Sequence, residues 1–328
     1  MMEPLLSIII PHYNGVHHLP PCFDALRRQT YPNVEIILAD NGSTDESLEL
    51  TRRDYPEVNI LEIGENLGYA GAINRGVLHA NGQIIVPLNN DTEADSGWAK
   101  AIVDVLARYP DAGMVASKIL LFDERDKIHS AGDAFGVDGI PINRGVWQKD
   151  VGQFDDDSYI FGGCGGAVAY RRAMLDDIGL FDEDLFMYME DVDLNWRAQL
   201  AGYRVVFAPQ AIVYHHVSAT GGGVTASYYT GRNTLFVLAK VLPGFIFRRY
   251  GWSIVRAQIK IASEALRAWR GEAARARLKG QFAGLLGLPR WLAKRTSVKR
   301  SRQVSNAYLE SLLTDVNGRS KKPLEVHG

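Results

Sequence analysis

Several short polar groups in this sequence follow apolar runs, and each is suited to part of a group-transfer reaction. The run ending at Ile10 opens into Pro11-His12-Tyr13-Asn14, and the one ending at Ala39 opens into Asp40-Asn41-Gly42-Ser43-Thr44-Asp45. A carboxylate at a strand end can accept a hydrogen bond from the imide N–H of uracil or thymine, and Tyr13 can lie against such a ring. A plain turn with a helix cap explains Ser43, Thr44 and Asp45 equally well, but leaves Asp40 over. A third run is followed by Asn66-Leu67-Gly68-Tyr69-Ala70-Gly71 and, further on, Arg75. Glycines there admit a ligand close to the backbone, a helix amino terminus favours anions, and Arg75 could neutralise phosphate. The stretch has neither the trailing Lys-Ser/Thr of a P-loop nor the GxGxxG of a dinucleotide fold.

Asn89-Asn90-Asp91 follows a fourth run. Oxygen donors at a strand end suit a hard divalent cation that bridges the phosphates of a departing nucleotide, with Asp91 as direct ligand. The same three residues also make an ordinary polar turn. Later, Glu190 and Asp191 come directly after Phe186-Met187-Tyr188-Met189. Partial desolvation by those neighbours would raise a carboxyl toward the range of a general base. The plain alternative is helix-start chemistry, with Asp193 pairing Arg197 one turn on. His215 and His216 follow a further short strand; a lone histidine is more often structural than a ligand, and a pair downstream of an acidic cluster weakens that preference.

The elements that must position these groups follow from periodicity. Apolar runs at 6–10, 34–39, 58–63, 84–88 and 113–120 alternate with helical patterns at 21–30, 45–55, 69–80 and 96–109. That alternation predicts an α/β fold with a mostly parallel, Rossmann-like sheet flanked by helices. Ligands in such sheets bind beyond the carboxyl ends of the strands, where the polar groups fall. Residues 121–161 read as irregular loops. Gly162-Gly163-Cys164-Gly165-Gly166 then leads into a strand at 167–170, helices starting near 171 and 190, and two short strands at 205–207 and 212–214.

Composition bounds the rest. The chain has 328 residues, a net charge of −2 and two distant cysteines, Cys22 and Cys164, which argues against a zinc ribbon or a disulfide framework and for a reducing, cytoplasmic setting. No apolar run reaches membrane-spanning length. Charge is divided: residues 1–231 carry 16 Lys and Arg against 33 Asp and Glu, and residues 232–328 carry 20 against 5. The basic end sets Trp252, Ile254, Val255, Ile259, Leu266 and Trp269 among Arg and Lys, as in amphipathic helices that rest on an anionic membrane or cover another protein surface. The expected division is a transferase domain over 1–240 and a basic helical extension over 241–328.

Taken in order, IIIPHYN, ILADNGSTD, ENLGYAGAINRG, VPLNND, GGCGGAVAYRR, FMYMEDVDLNWR and a P-x-A-x-x-x-H segment resemble the family 2 glycosyltransferases of GT-A fold, especially the rhamnosyltransferase-like and galactofuranosyltransferase-like members. The resemblance covers roughly residues 5–236 and implies a nucleotide-diphosphate-sugar donor, linked to dTDP or UDP, and a glycan or lipid-linked glycan acceptor. It implies that Pro11, Tyr13 and Asn14 frame the base, Asp40 reads it, and Asn66, Gly68, Arg75, Asn89 and Asn90 line the donor site. Asp91 and His215 would hold Mg2+ or Mn2+, Asp191 would be the catalytic base beside Glu190, and Trp147, Gly163 and Cys164 would shape the acceptor side. Asn89 and Asn90 stand where the family more often has acids. An enzyme loading polyprenyl phosphate would usually bring spanning helices, and a silent binding module would not need Asp40, Asp91, Asp191 and His215 together. A nucleic-acid binder would carry a reading motif, so no nucleic-acid partner is expected. Self-association through the basic helices is the competing use for that end.

Overall fold

The computed structural model of the protein describes residues 3–156, 158–216 and 223–315. Its first part is built from β1 (Leu6–His12), α1 (Leu19–Arg27), β2 (Val34–Asp40), α2 (Ser47–Asp54), β3 (Asn59–Glu62), α3 (Gly68–His79), β4 (Ile84–Pro87), β5 (Thr92–Ala94) and α4 (Trp98–Arg108). Then follow β6 (Ala112–Leu121), β7 (Ile128–Ala131), β8 (Asp133–Gly136), β9 (Pro141–Asn143), β10 (Tyr159–Ile160), β11 (Val168–Arg171), α5 (Arg172–Ile178), α6 (Glu190–Ala201) and β12 (Arg204–His215). The chain continues through α7 (Gly223–Val241), α8 (Gly244–Arg267), α9 (Glu272–Arg300), α10 (Asn306–Ser311) and β13 (Leu313–Thr314). The expected extension runs on to 328, and its segment 316–328 lies outside the described residues.

The main sheet has the order β10-β12-β6-β11-β4-β1-β2-β3. The parallel block expected from the early alternation is present as β3-β2-β1-β4, and β6 pairs β12 in parallel as well. Between these blocks β11 runs antiparallel to both β4 and β6, so the sheet is mixed. Both faces are covered, which is why its central strands read as continuous apolar runs rather than as alternating ones. Leu6, Ile8 and Ile10 point to the layer holding Phe23 and Trp98, while Ile9 and Ile37 point to that holding Ile73 and Leu194.

Two expectations are corrected. Residues 121–161 are not irregular throughout: they contain β7, β8, β9 and β10, each only two to four residues long, too short for period-two patterning to show. The two short strands expected at 205–207 and 212–214 are one strand, β12. Its register jumps from Ala208 opposite Ser117 to Ile212 opposite Lys118, and this irregularity takes up Pro209, which has no N–H for a ladder.

The basic helices share a core with the rest. Trp291 of α9 is buried and stacks on Phe236 of α7 with ring centroids 4.6 Å apart, in a cluster that also holds Val192 and Trp196 of α6. Among the described residues no helix is long and apolar enough to cross a membrane.

The segment entering α6 is held from α7. Phe186, Tyr188 and Met189 all have positive φ, a backbone state that side chains disfavour, so the turn needs external support. Asn233, fully buried, supplies it by donating through Nδ2 to the carbonyls of Leu185, Met187 and Tyr188 at 2.9, 2.9 and 2.7 Å. Asn233→Ala is expected to cost about 2–3 kcal/mol of unfolding free energy by denaturant titration, because those buried carbonyls lose their donor. A cost no larger than that of an exposed substitution would show that the turn holds itself.

Candidate functional site

The loops after β1 and β2 are locked to each other. Asn14 donates its backbone N–H to Ser43 Oγ at 2.9 Å and accepts from Thr44 N through its side chain at 2.9 Å. Asp45 Oδ2 accepts from Gly15 N and Val16 N at 2.8 and 3.0 Å. Asp40, buried at the end of β2, accepts from the N–H groups of Gly42 and Ser43, each at 3.1 Å. Its carboxylate therefore shapes the turn that the sequence had left unconnected to it, and further lone pairs remain for a ligand. Tyr13 is half exposed at the rim.

A buried relay joins this corner to the end of β4. Asn90 Nδ2 lies 2.8 Å from His12 Nδ1, His12 Nε2 lies 2.7 Å from Ser47 Oγ, and Ser47 Oγ donates to Asp45 Oδ1 at 2.5 Å. An amide nitrogen only donates, so His12 carries its proton on Nε2 and every step of the relay points toward Asp45. Burial holds the His12 imidazole below its ordinary pKa, which keeps it neutral. Asn90 is thus committed to the scaffold. Arg75 is placed in the third turn of α3 and pairs with Glu183 at 3.3 Å, both half exposed. Gly68 has φ of 73°, donates its N–H to Asn66 Oδ1 at 2.9 Å, and leaves no room for a Cβ, which would run into the Phe186 carbonyl.

Asp91, next along, is 2 % exposed, and its Oδ1 lies 3.2 Å from His215 Nε2. The pairing of Thr92 with His215 between β5 and β12 makes this juxtaposition a matter of sheet register. His129 of β7 stacks on His215, Nδ1 to Nδ1 at 3.0 Å, and Trp147, 60 % exposed, has its ring 6.4 Å from that of His129. Burial, reinforced by the His215 ring, pushes His129 down to about 4. Among the described residues no group of three or more His, Cys, Asp and Glu is gathered for a metal. One carboxylate and one imidazole nevertheless fit Mg2+ or Mn2+, which commonly take one or two protein carboxylates and complete their shell with phosphate oxygens and water.

The glycine loop at 162–166 connects this pair to the acidic cluster. Asn89 N donates to Gly166 O at 3.1 Å, and Gly165 N donates to Asp191 Oδ2 at 2.9 Å. A Cβ on Gly165 would sit 3.1 Å from that same carboxylate oxygen, so any other residue would crowd Asp191. Gly163 is gripped on both backbone groups by Asn195, which accepts at 3.3 Å and donates at 3.1 Å. Cys164 lies beside β9, with its Sγ 4.0 Å from Asn143 Nδ2. Burial, then the charges of Glu190 and Asp91, raise the Tyr188 phenol.

Three carboxyls meet around the loop. Burial raises Asp191, though its hydrogen bonds from Gly165 and Val192 oppose the shift. Glu190 is raised well above the carboxylate range by burial and then by Asp191, and its Oε2 has no hydrogen-bond partner among the described residues. Asp133, at the start of β8, is raised by the same two causes in the same order. Such a cluster can hold and move a proton near neutral pH. Asp133 and His129 were missed in the sequence because they fall in the stretch read as loops; His-x-x-x-Asp inside it was the available signal. Asp193, by contrast, is not in the cluster: it pairs with Arg197 at 2.8 Å as the plain helix reading expects.

The model for the family described as glycosyl transferase family 2 matches residues 7–179. The N-acetylglucosaminyl-diphospho-decaprenol L-rhamnosyltransferase of Mycobacterium tuberculosis is 28 % identical over 336 aligned positions, covering 92 % of this chain and 97 % of that one. The mannosyltransferase PcManGT from Pyrobaculum calidifontis, solved with GDP-Man and Mn2+, superposes with a TM-score of 0.53 at 19 % identity over 92 % of this chain and 86 % of its own. GalNAc-T7, solved with UDP, GalNAc and Mn2+, gives 0.58 at 17 % over 72 % and 47 %. The architecture is that of the GT-A fold.

Glu190 also makes a stability statement. Because its folded pKa is raised above the usual 4.5, the native state binds the proton more tightly than the unfolded chain does. Its contribution is fully present below that value and is lost as pH rises through the raised one. Glu190→Gln is therefore expected to melt higher than the wild type at pH 8, by roughly 1–3 kcal/mol in stability, with the difference closing near pH 4. An equal shift at both pH values would assign the effect to packing.

Proposed function

This chain belongs to the family 2 glycosyltransferases, and on that premise we propose that it is an inverting, metal-dependent transferase that moves a sugar from a nucleoside diphosphate to a hydroxyl of a lipid-linked or polysaccharide acceptor in cell-surface glycan assembly. The donor is dTDP- or UDP-linked, and rhamnose is the first candidate sugar, in line with the rhamnosyltransferase similarity over nearly the whole chain. One observation carries the reading: the glycine loop that receives the end of β4, with Asp91, also fixes the Asp191 carboxylate through Gly165 N–H.

In this mechanism Pro11 and Tyr13 frame the base, Asp40 accepts from its imide N–H, and Asn14 holds the two loops in register. Asp91 and His215 hold Mg2+ or Mn2+, which when bound offsets charge on the departing diphosphate. Asp191 takes the proton of the acceptor hydroxyl as that oxygen bonds to the anomeric carbon. The bond to the diphosphate oxygen breaks with its electron pair leaving on the nucleotide, so one displacement inverts the centre. Burial and then the charge of Asp191 favour the protonated form of Glu190, whereas Asp191 is held by the N–H groups of Gly165 and Val192, which favour its ionised form. Gly163, Cys164 and Trp147 border the acceptor side.

The experiment is a panel of nucleotide sugars incubated with lipid-linked and free glycan acceptors, with Mn2+ and with chelator. Transfer is expected with metal only, and Asp191→Asn is expected to lower it by roughly 10²–10⁴-fold with donor affinity unchanged. Full transfer by that variant would place the base elsewhere, and full transfer in chelator would remove the metal.

The basic helices give the enzyme a place to work. Trp252, Val255, Ile259 and Leu266 are exposed on α8, Trp269 is exposed in the turn after it, and Phe282, Leu285, Leu286 and Leu292 are exposed on α9. With Arg248, Arg249, Arg256, Lys260, Arg267 and Arg270 alongside, this surface suits the anionic cytoplasmic leaflet, and the proposed division near residue 240 separates a chemical part from a surface-binding one. Because these helices share a core with α6, point changes test this better than truncation does. Trp252→Ser combined with Trp269→Ser is expected to fold normally and to lose sedimentation with phosphatidylglycerol vesicles. Unchanged sedimentation with a halved particle mass would assign these residues to a second copy of the chain instead.

A further inference from the structure

A groove of about 540 Å³, within the range of small-molecule sites, lies where α7, α8 and α9 meet strand β9. Pro141, Met189, Ile261, Ala265, Ala274 and Arg277 are among its walls. Met189, the residue before Glu190 and Asp191, is one of its walls. Pro141 of β9 is another, and Asn143, two residues on, touches Cys164, the neighbour of the Gly165 that holds Asp191. Ala268, which caps the C-terminus of α8, also lines it, and the next residue, Trp269, is exposed.

The charge in the groove is unbalanced. Arg277 is half-buried, and no hydrogen bond or ion pair reaches its guanidinium among the described residues. Burial alone pulls its pKa down, with no acid acting against the shift. The one carboxylate in the walls, Glu264, is more than half exposed and lies 3.9 Å from Lys260, the residue one turn before it on α8. A half-buried guanidinium that no group of the protein engages keeps its donors free for an anionic ligand such as phosphate. Four alanines with Pro141, Met189 and Ile261 make most of the lining apolar, which suits a hydrocarbon chain, and Ser227, Thr230 and Thr234 of α7 add hydroxyls to one wall.

We propose that this groove binds the phosphate-bearing lipid end of the acceptor, an isoprenoid-type diphosphate, with Arg277 pairing the phosphate and the alanine-lined length taking the hydrocarbon. This rests on the transferase reading and deepens it: the acceptor runs from the membrane surface at Trp269 to the base at Asp191, and its sugar reaches the base because its lipid end is held.

The test is equilibrium binding to the full-length protein of three probes: farnesyl diphosphate, farnesol and inorganic diphosphate. Farnesyl diphosphate is expected to bind tightest. Arg277→Gln is expected to weaken it about tenfold or more, as for loss of a charged hydrogen-bonded contact, and to leave farnesol unchanged. Ala268→Trp, which fills the groove, is expected to weaken both prenyl probes, and melting curves identify a variant that has not folded. Inorganic diphosphate binding as tightly as farnesyl diphosphate, or wild-type affinity for farnesyl diphosphate in Arg277→Gln, would overturn the proposal. The outcome is independent of catalysis: a wild-type protein that binds farnesyl diphosphate in this way but turns over no nucleotide sugar would sink the enzyme reading and leave the groove standing.

Discussion

A single buried carboxylate, Asp193, holds the frame on which the acidic loop is built. It has no exposure to solvent and sits between Arg197 of its own helix and Lys240 of α7, each at 2.8 Å. Lys240 also reaches Asp182 at 2.9 Å, and Asp182 takes Lys294 of α9 at 2.6 Å. Arg197 in turn donates to the carbonyls of Ile178, Gly179 and Leu180. Three helices and the segment before α6 therefore converge on two aspartates. A buried pair of this kind contributes little net energy when complete, but losing one partner leaves a stranded charge that costs about 3–5 kcal/mol. Its effect here is geometric: the first turn of α6, with Glu190 and Asp191, cannot tilt without breaking it.

That network also gives the charge division a physical meaning. The acidic first part and the basic last part of the chain meet along a seam where Asp182 and Asp184 face Lys240, Arg290 and Lys294. Part of the basic end is thus spent on holding the molecule together. What remains on the outer faces of α8 and α9 is the portion free to meet another surface.

The sequence showed most clearly what depends on local pattern. Strands β1, β2 and β4 and the helices between them are legible because each is buried on both sides and ends at a polar turn. Asp91, Asp191 and His215 could be singled out because each stands at such an end. Other features depend on register and on distant chain, which no local pattern records. That Asn90 would meet His12 through its Nδ2 follows from how β4 lies beside β1. That Arg75 would meet Glu183 follows from how α3 packs under the segment before α6. His129 and Asp133 were hidden because four-residue strands carry too little periodicity to be seen, although His129 stacks on the His215 that the sequence singled out.

The centre itself lies at a junction. Asp91 is contributed by the loop after β4 in the parallel block, His215 by the last residue of β12 in the other block, and the turn presenting Asp191 is held by α7. A ribosome making this chain must therefore deliver nearly three quarters of it before any competent arrangement exists. The corner that joins the loops after β1 and β2 is contained within the first 47 residues, whereas Asp91 meets His215 only where β12 pairs β5. On the proposed reading the donor loops would be synthesised long before the residues that spend the donor, an order that arises from nothing more than the sequence position of the strands that close the sheet.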